Sequence, residues 1–256
     1  MNEATLNTQL QTLRLSQMKA YWKELEQQAI TMAWTPAKFL SHLCEQELAH
    51  RLQQRQKRYL TEARLPIGKR IDTLDLTAIK GINPVVIQHL GNQHDWLEKG
   101  HNLLLLGASG LGKTHIAAAI GSELVSHGIR GRFYGATALV QELQEAKQIL
   151  KLNELLLKLD RYRFIIIDDI GYVSRDQQET SVVFELIAHR YERASLIITA
   201  DKPFSQWTGI FADTRMTVAA IDRLIHYAQI IELEGESYRK KTAKLRSEAA
   251  KEADLI

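Results

Sequence analysis

An α/β fold with a central parallel sheet flanked by helices, preceded by a small helical domain, is the architecture that this sequence predicts. From Asn102 onward, short apolar runs alternate with longer amphipathic segments, as strands and helices do in a parallel sheet covered on both faces. A glycine-rich pattern typical of phosphate binding follows the first apolar run and opens the next helix. Before residue 66, in contrast, apolar residues recur at helical spacing alone.

The N-terminal domain is predicted over residues 1–66 as a hairpin of two helices that serves interaction with a partner or DNA. Residues 4–28 place apolar side chains at helical spacing. Thr35-Pro36 is typical of a helix start, because threonine caps a helix and proline fits its first turn. The second helix is expected to end near Arg64, and a linker with a short helix then occupies 67–100.

The core is predicted over 101–235, followed by a charged tail over 236–256. Its strands are expected at Leu103–Leu106, Arg132–Tyr134, Phe164–Ile167, Leu196–Thr199 and Ile230–Leu233. Its helices are expected at Lys113–His127, Ala138–Leu159, Gln177–Glu192 and Val218–His226.

Composition predicts a cytoplasmic globular protein that has no membrane partner. The 256 residues are 45% hydrophobic and 25% charged, and no apolar run reaches the roughly 18 residues of a membrane span. A single cysteine, Cys44, excludes an intrachain disulfide. The net charge is +3, but residues 1–70 hold eleven Lys and Arg against six Asp and Glu. The basic run 51–58 suits DNA phosphates, but charge alone favours a solvated helix face.

The phosphate-binding pattern is complete and predicts a site for ATP. Its glycines let backbone N–H groups turn toward phosphate oxygens, and the following helix points its positive end at the same place. Lys113 is expected to reach the β- and γ-phosphates, and Thr114 to bind Mg²⁺. The predicted nucleotide-binding residues are Gly107, Ala108, Ser109, Gly110, Leu111, Gly112, Lys113, Thr114 and His115.

Two carboxylates at the end of the apolar run Phe-Ile-Ile-Ile predict the second half of this site. Ligands of open α/β sheets bind at the carboxyl ends of strands, where Asp168 and Asp169 fall. Asp168 is predicted to hold Mg²⁺ with Thr114, and Asp169 to polarise an attacking water. The alternative is a helix cap or turn signal.

Two further polar residues are candidates for catalysis. Thr199 ends the next apolar strand, where it can sense the γ-phosphate or position water. Arg223 is predicted on a helix that follows the core strands. It is either a structural salt-bridge residue or, acting on a neighbouring subunit's ATP, an arginine finger that stabilises transition-state charge.

Several motifs resemble the IstB family, the helper ATPases of insertion-sequence transposons, in order and spacing. They are Gly107–Thr114, Ile-Ile-Asp168-Asp169-Ile-Gly-Tyr172, His189-Arg-Tyr-Glu-Arg193, Lys202-Pro-Phe-Ser-Gln-Trp207, Ile221-Asp-Arg-Leu-Ile-His226 and Gly235-Glu-Ser-Tyr-Arg239, with Leu13-Arg-Leu-Ser-Gln-Met18 near the N-terminus. The resemblance implies an AAA+ P-loop NTPase that forms an ATP-dependent homo-oligomer, a ring or helical filament, on duplex DNA. It also implies recruitment of an IstA-like transposase. Asp201 would occupy the sensor position and Arg223 that of the arginine finger.

The sequence departs from the family pattern at two of these positions. Asp169 stands where the family usually has glutamate, and Asp201 where it usually has asparagine. An ionised carboxylate cannot donate a hydrogen bond to phosphate as an amide does. We therefore predict slow hydrolysis, with ATP acting mainly as an assembly clamp.

The DNA contacts predicted by analogy with the family are Lys147, Lys151 and Arg175, each of which is otherwise a solvated charge. A DnaC-like replicative helicase loader acting on single-stranded DNA is the alternative function. A small-molecule P-loop kinase is a third possibility, but a kinase has no use for an arginine supplied by another subunit.

Overall fold

The computed structural model describes residues 2–76, 79–172, 177–203, 206–207 and 214–238. The helices are α1 Glu3–Thr12, α2 Ser16–Thr31, α3 Pro36–Ala63, α4 Pro84–Asn92, α5 Asp95–Glu98, α6 Lys113–Ser126, α7 Ala136–Gln148, α8 Leu152–Leu159, α9 Gln177–Arg190 and α10 Thr214–Ile225. The strands are β1 Ile79–Lys80, β2 Asn102–Gly107, β3 Gly131–Gly135, β4 Phe164–Asp168, β5 Ser195–Ala200 and β6 Ala228–Gly235. None of the helices in the described ranges is long and apolar enough to cross a membrane.

The chain divides into two compact units, Met1–Arg58 and Tyr59–Ile256. The sequence-based border at residue 66, and the role assigned to the N-terminal domain, stay predictions. The first unit is helical, and the second contains the whole sheet.

Polar contacts at helix ends supplement a small apolar core in the helical unit. Trp22 is buried, and its indole N–H donates to Asn7 at 3.0 Å. Glu47, only 4% exposed, accepts the N–H groups of Gln17 and Met18 in the first turn of α2 and pairs with Arg51. Burial alone would raise the pKa of Glu47, but these donors outweigh burial and lower it. The carboxylate therefore stabilises this unit at neutral pH, and that contribution is lost as pH falls through the lowered pKa.

The sheet has six strands in the order β1-β6-β2-β5-β4-β3. Neighbours from β6 to β3 run parallel, and β1 pairs antiparallel with β6. Strand β2 lies between β6 and β5, so the turn after it is flanked by two other strand ends. This is the position where α/β sheets bind ligands.

Alternate residues of the buried strands face two different apolar layers. Leu104, Ile165 and Ile198 pack in a cluster with α7, α8, α9 and α10. Leu103 and Ile166 pack in a cluster with α4, α5 and α6. The side chains of a strand alternate between faces, and both faces of this sheet are covered by helices. The predicted parallel α/β fold is therefore confirmed, and each predicted strand lies within an observed one.

Two segments that were each predicted as one helix form two helices each in the structure, and one observed strand was not predicted. The segment 4–28 breaks between α1 and α2, where Arg14 has φ 56°, and Ala138–Leu159 breaks between α7 and α8, where Leu150 has φ 58°. A left-handed residue ends a helix, but neither break carries the usual glycine. Strand β1 lies in the predicted linker and is only two residues long.

Candidate functional site

A cavity of about 340 Å³ lies where β2 turns into α6. It gathers most of the predicted phosphate-binding residues with side chains from distant segments. Its lining consists of Lys69, Thr73, Leu74, Asp75, Ile79, Ser109, Gly110, Gly112, Lys113, Thr114, His115, Asp169 and Tyr238. Leu111 is buried in the apolar layer instead, so its side chain anchors the loop.

Glycine is required in the turn between β2 and α6 by both backbone conformation and space. Gly107 has φ 141° and Gly110 φ 89°, values that other residues rarely adopt. A Cβ at Gly107 would collide with the carbonyl of Leu233, and one at Gly110 with the Ser237 hydroxyl. Gly112, at φ 78°, precedes α6, and no described side chain caps this helix. The positive end of α6 thus lies at the turn, where an anion is favoured.

Lys113 places a cation inside this turn. The residue is 5% exposed, and its ammonium donates to the carbonyls of Gly107 at 2.6 Å and Ala108 at 3.0 Å. Phosphate oxygens in the cavity would compete with these carbonyls for the ammonium, and a charged acceptor makes the stronger bond.

Asp168 and Asp169 are held by Thr199 of the neighbouring strand. The Thr199 hydroxyl donates to Asp168 Oδ1 at 2.7 Å and accepts the backbone N–H of Asp169 at 2.8 Å. Asp169 has φ 58° and lines the cavity. Aspartate tolerates this left-handed conformation better than glutamate, which gives a backbone reason for the shorter carboxylate. The role of Thr199 toward the γ-phosphate stays a prediction; the structure shows its hydroxyl bonded to the Asp168 carboxylate and to the Asp169 backbone.

Asp201 follows β5, and its carboxylate packs against the turn after β4. A Cβ at Gly171 would collide with Asp201 Oδ1, so glycine permits this approach. Oδ1 is buried and has no hydrogen-bond partner among the described residues. Asp201 is outside the described lining of the cavity, and its predicted effect on the γ-phosphate stays a prediction.

One wall of the cavity comes from Lys69, Thr73, Leu74, Asp75 and Ile79, in a region that the sequence indicated only as a linker. His115, in the first turn of α6, is bonded to this segment: its Nε2 lies 3.0 Å from the carbonyl of Arg70 and 3.1 Å from Thr73 Oγ1. Because a carbonyl only accepts, Nε2 is the protonated nitrogen. Ile79 pairs with Gly235, and Tyr238 N–H donates to Gly110 at 3.0 Å, so β6 and its extension complete the enclosure.

Arg223 is outside the described lining of this cavity. On α10, its guanidinium donates to the carbonyl of Ala219 at 2.9 Å and lies 5.5 Å from the ring of Phe184. It also borders a shallow depression with Arg215, Val218 and Asp222. The structure therefore shows no role for this arginine at the chain's own site.

Two of the predicted DNA contacts, Lys147 and Lys151, are outside the described lining of the cavity. Lys147 is paired with Glu185 at 2.7 Å and with the Ser181 hydroxyl at 2.8 Å, so α9 partly neutralises it. Lys151 is exposed between α7 and α8. Arg175 lies outside the described residues. All three stay predictions.

The residues at the cavity fit a bound Mg²⁺. Among the described residues there is no cluster of three or more His, Cys, Asp or Glu able to hold a metal by themselves. Mg²⁺ at nucleotide sites takes one or two protein oxygens and completes its shell with water and phosphates. Thr114 in the lining and Asp168, fixed by Thr199, are oxygen donors of that kind.

Comparison with known proteins matches nearly the whole chain to one family. The model of the family described as "IstB-like ATP binding protein" covers residues 8–247. A putative insertion sequence ATP-binding protein of Sinorhizobium fredii is 45% identical over 242 residues, which are 94% of this chain and 81% of that protein. The putative ATP-binding protein of insertion sequence IS5376 from Geobacillus stearothermophilus is 34% identical over 94% of this chain and 95% of its own length.

Solved structures support the fold alone. The crystal structure of the DnaC helicase loader aligns with a TM-score of 0.51 and 21% identity, over 70% of this chain and 99% of that one. AMPPCP-bound DnaA from Aquifex aeolicus aligns with a TM-score of 0.55 and 18% identity, over 73% of this chain and 56% of that one. With the phosphate-binding turn and the strand-end carboxylates in place, the chain belongs to the IstB-like ATP-binding proteins.

Proposed function

We propose that this chain is an ATP-dependent regulator of transposition that binds MgATP, assembles on duplex DNA and recruits an IstA-like transposase. The observation that carries the proposal is the enclosure of the turn after β2 by three remote segments, which leaves a cavity with a buried lysine on one side and Asp169 on another. Relatives of 34–45% identity are named insertion sequence ATP-binding proteins, which supports the transposition setting.

ATP binding follows from the groups around the phosphates. The N–H groups after Gly107 and those opening α6 would hold the phosphate oxygens, and Lys113 would exchange its carbonyl partners for the terminal phosphates. Mg²⁺, held by Thr114 and Asp168, would neutralise the charge between the phosphates. The segment 69–75 and Ile79 would enclose the base and ribose, since they form the wall beyond His115.

Hydrolysis is proposed to be slow. Asp169 would orient a water, but its side chain is one methylene shorter than glutamate. Asp201 brings a third carboxylate to the turn after Asp168 and Asp169. An ionised carboxylate cannot donate a hydrogen bond, and its charge would oppose an anionic transition state. In this proposal ATP mainly holds subunits together, and turnover releases them.

Assembly is proposed to complete the site. Because Arg223 is outside the described lining of its own cavity, a second copy would have to supply such an arginine to the transferred phosphate. Val218, 62% exposed on the same helix, offers apolar surface for that contact. A homo-oligomer with identical successive contacts gives a ring or a helical filament, depending on whether the rotation closes.

The experiment is fluorescence anisotropy of a labelled duplex and of the matching single strand, with MgATP and without nucleotide, alongside particle mass by light scattering. The proposal expects duplex binding and a mass increase that both require MgATP. Tighter binding to the single strand would instead favour a helicase loader of the DnaC type. ATP binding without any change of mass, and no DNA binding, would contradict the regulator and leave only the nucleotide site.

A further inference from the structure

A second cavity, of about 500 Å³, opens at the other edge of the same sheet. Three arginines line it, Arg130 before β3 and Arg161 and Arg163 before β4, and Glu98 is the one acid among its described lining residues. Since β3 and β4 are parallel neighbours, the residues before them meet at one edge. That edge lies about 16 Å from the nucleotide edge, the length of the five-residue β4.

These arginines are not needed as hydrogen-bond donors to the last carbonyls of α6, the helix that ends beside them. The last carbonyls of α6 already accept the N–H of Gly128 at 2.9 Å and that of Ile129 at 3.0 Å. Arg190 shows the contrasting case at the same edge: it is 1% exposed and donates to the carbonyls of Leu159, Tyr162 and Ser195. Arg161, by comparison, is exposed beside the ring of Tyr162.

Their other contacts hold the guanidinium groups of Arg130 and Arg163 in place but use only some of the N–H donors of each. Arg130 pairs with Glu62 at 2.7 Å through Nε and Nη2. Its guanidinium also lies 5.6 Å from the ring of Tyr59. Arg163 donates through one nitrogen to the carbonyl of Leu97 at 3.2 Å. A guanidinium has five N–H donors, so donors remain on both arginines.

His94 also lines the cavity and adds a polar ring to the three arginines. His94 Nδ1 is buried, and the part of the chain that the structure describes gives it no hydrogen-bond partner. Burial, with a smaller effect of His127, lowers the pKa of His94, so the ring is neutral at neutral pH. A neutral imidazole can donate one hydrogen bond to an oxygen without adding charge.

We propose that this arginine cavity binds a backbone phosphate of duplex DNA, as a contact surface separate from the nucleotide site. The proposal rests on the DNA-binding function proposed above and gives it a location. Arginine matches phosphate geometry with paired N–H donors, and such contacts fix position on DNA without reading its sequence. Because the two cavities lie at opposite edges of the sheet, ATP and DNA can occupy them at once.

The test compares duplex affinity in MgATP across a series of salt concentrations for the full chain and three variants. Each phosphate neutralised contributes about 0.9 to the slope of log K against log salt, which corresponds to about fivefold in affinity at 0.15 M salt. The double variant Arg130→Gln with Arg161→Gln, which removes two of the three arginines around that one phosphate, should lose up to about 0.9 of slope. Glu62→Gln, which releases Arg130, should instead tighten binding. Lys158→Gln, an exposed lysine outside the described lining, is the control and should change little.

The opposite signs separate a phosphate contact from a structural role, since a merely structural loss would weaken binding in both Arg130 and Glu62 variants. Unfolding temperature and ATP affinity should stay unchanged in all three. An unchanged slope in the double variant, with binding intact, would overturn this inference and leave the proposed function standing. No duplex binding by the unaltered chain would refute the proposed function and this inference with it.

Discussion

At the carboxyl edge of the sheet, β2 and β4 end in glycines and carboxylates around a cavity, whereas at the amino edge β3, β4 and β5 begin beside arginines. Helix direction accounts for much of the difference. In a parallel sheet the helices after each strand begin at the carboxyl edge and end at the amino edge. Helix N-termini attract anions and helix C-termini attract cations. At the carboxyl edge, the N-terminus of α6 lies beside the nucleotide cavity. At the amino edge, Arg190 donates to the carbonyl of Leu159 at the end of α8.

The largest effect should follow from removing the cation at the carboxyl edge. Lys113→Ala deletes the ammonium inside the phosphate turn, and a hydrogen bond to a charged group is worth up to about 3 kcal/mol. ATP affinity, measured by titration calorimetry, should fall roughly 150-fold. The free energy of unfolding without nucleotide should fall by up to about 2 kcal/mol, because the carbonyls of Gly107 and Ala108 lose their donor. ATP affinity near that of the unaltered chain would contradict the assignment of this cavity.

At the amino edge, Arg190→Met should lower the stability of the chain rather than its affinity for ATP. It leaves the carbonyls of Leu159, Tyr162 and Ser195 without their donor, at about 1 kcal/mol each, so the free energy of unfolding should fall by about 2–3 kcal/mol. Burial lowers the pKa of Arg190 to about 10, so the side chain is still charged at neutral pH. Arg193→Met, at an exposed neighbour, is the control. Equal stability of the two variants in urea would refute this role.

Thr199→Val tests how the two carboxylates are held. The hydroxyl links Asp168 to the N–H of Asp169, and its loss should cost about 1–2 kcal/mol of stability and lower ATP turnover. Thr199→Ser keeps the hydroxyl and should retain most of both. If serine fails as badly as valine, packing of the methyl group, rather than the hydrogen bonds, supports the site.

The smallest effect is expected at Asp201. Asp201→Asn replaces a carboxylate by an amide that can donate, and ATP turnover should rise several-fold, or about 1 kcal/mol. Adding Asp169→Glu should help less, because glutamate is disfavoured at φ 58°. Phosphate release assays on both variants measure the change. No increase in either variant would reject the explanation for slow hydrolysis.

The carboxyl edge was more predictable from sequence than the amino edge, for physical reasons. The phosphate turn is local: Gly107 to Thr114 must be glycine-rich and lie between strand and helix, and both features are contiguous in the chain. The wall formed by 69–75 and Ile79 depends on the pairing of Ile79 with Gly235, a contact between residues far apart in sequence. Arg190 looks like an ordinary surface arginine at a helix end, and only tertiary packing buries it.

Backbone conformations that depart from the usual residue preferences could not be predicted from the sequence either. Leu150 adopts φ 58° without being glycine, so the apolar pattern runs on through the break between α7 and α8. Thr199 was recognised as a polar strand end, but its partner Asp168 follows from the adjacency of β4 and β5. The sequence predicts which side chains reach an edge; the strand order decides which of them meet.

The most direct test of ATP-driven assembly mixes two inactive variants. Lys113→Ala chains lack a nucleotide site but keep Arg223, and Arg223→Ala chains bind ATP but lack the arginine. If Arg223 acts on a neighbouring subunit, a mixture on duplex DNA should recover ATP turnover that neither variant has alone. Turnover of the mixture no greater than the sum of its components would contradict a site completed between subunits.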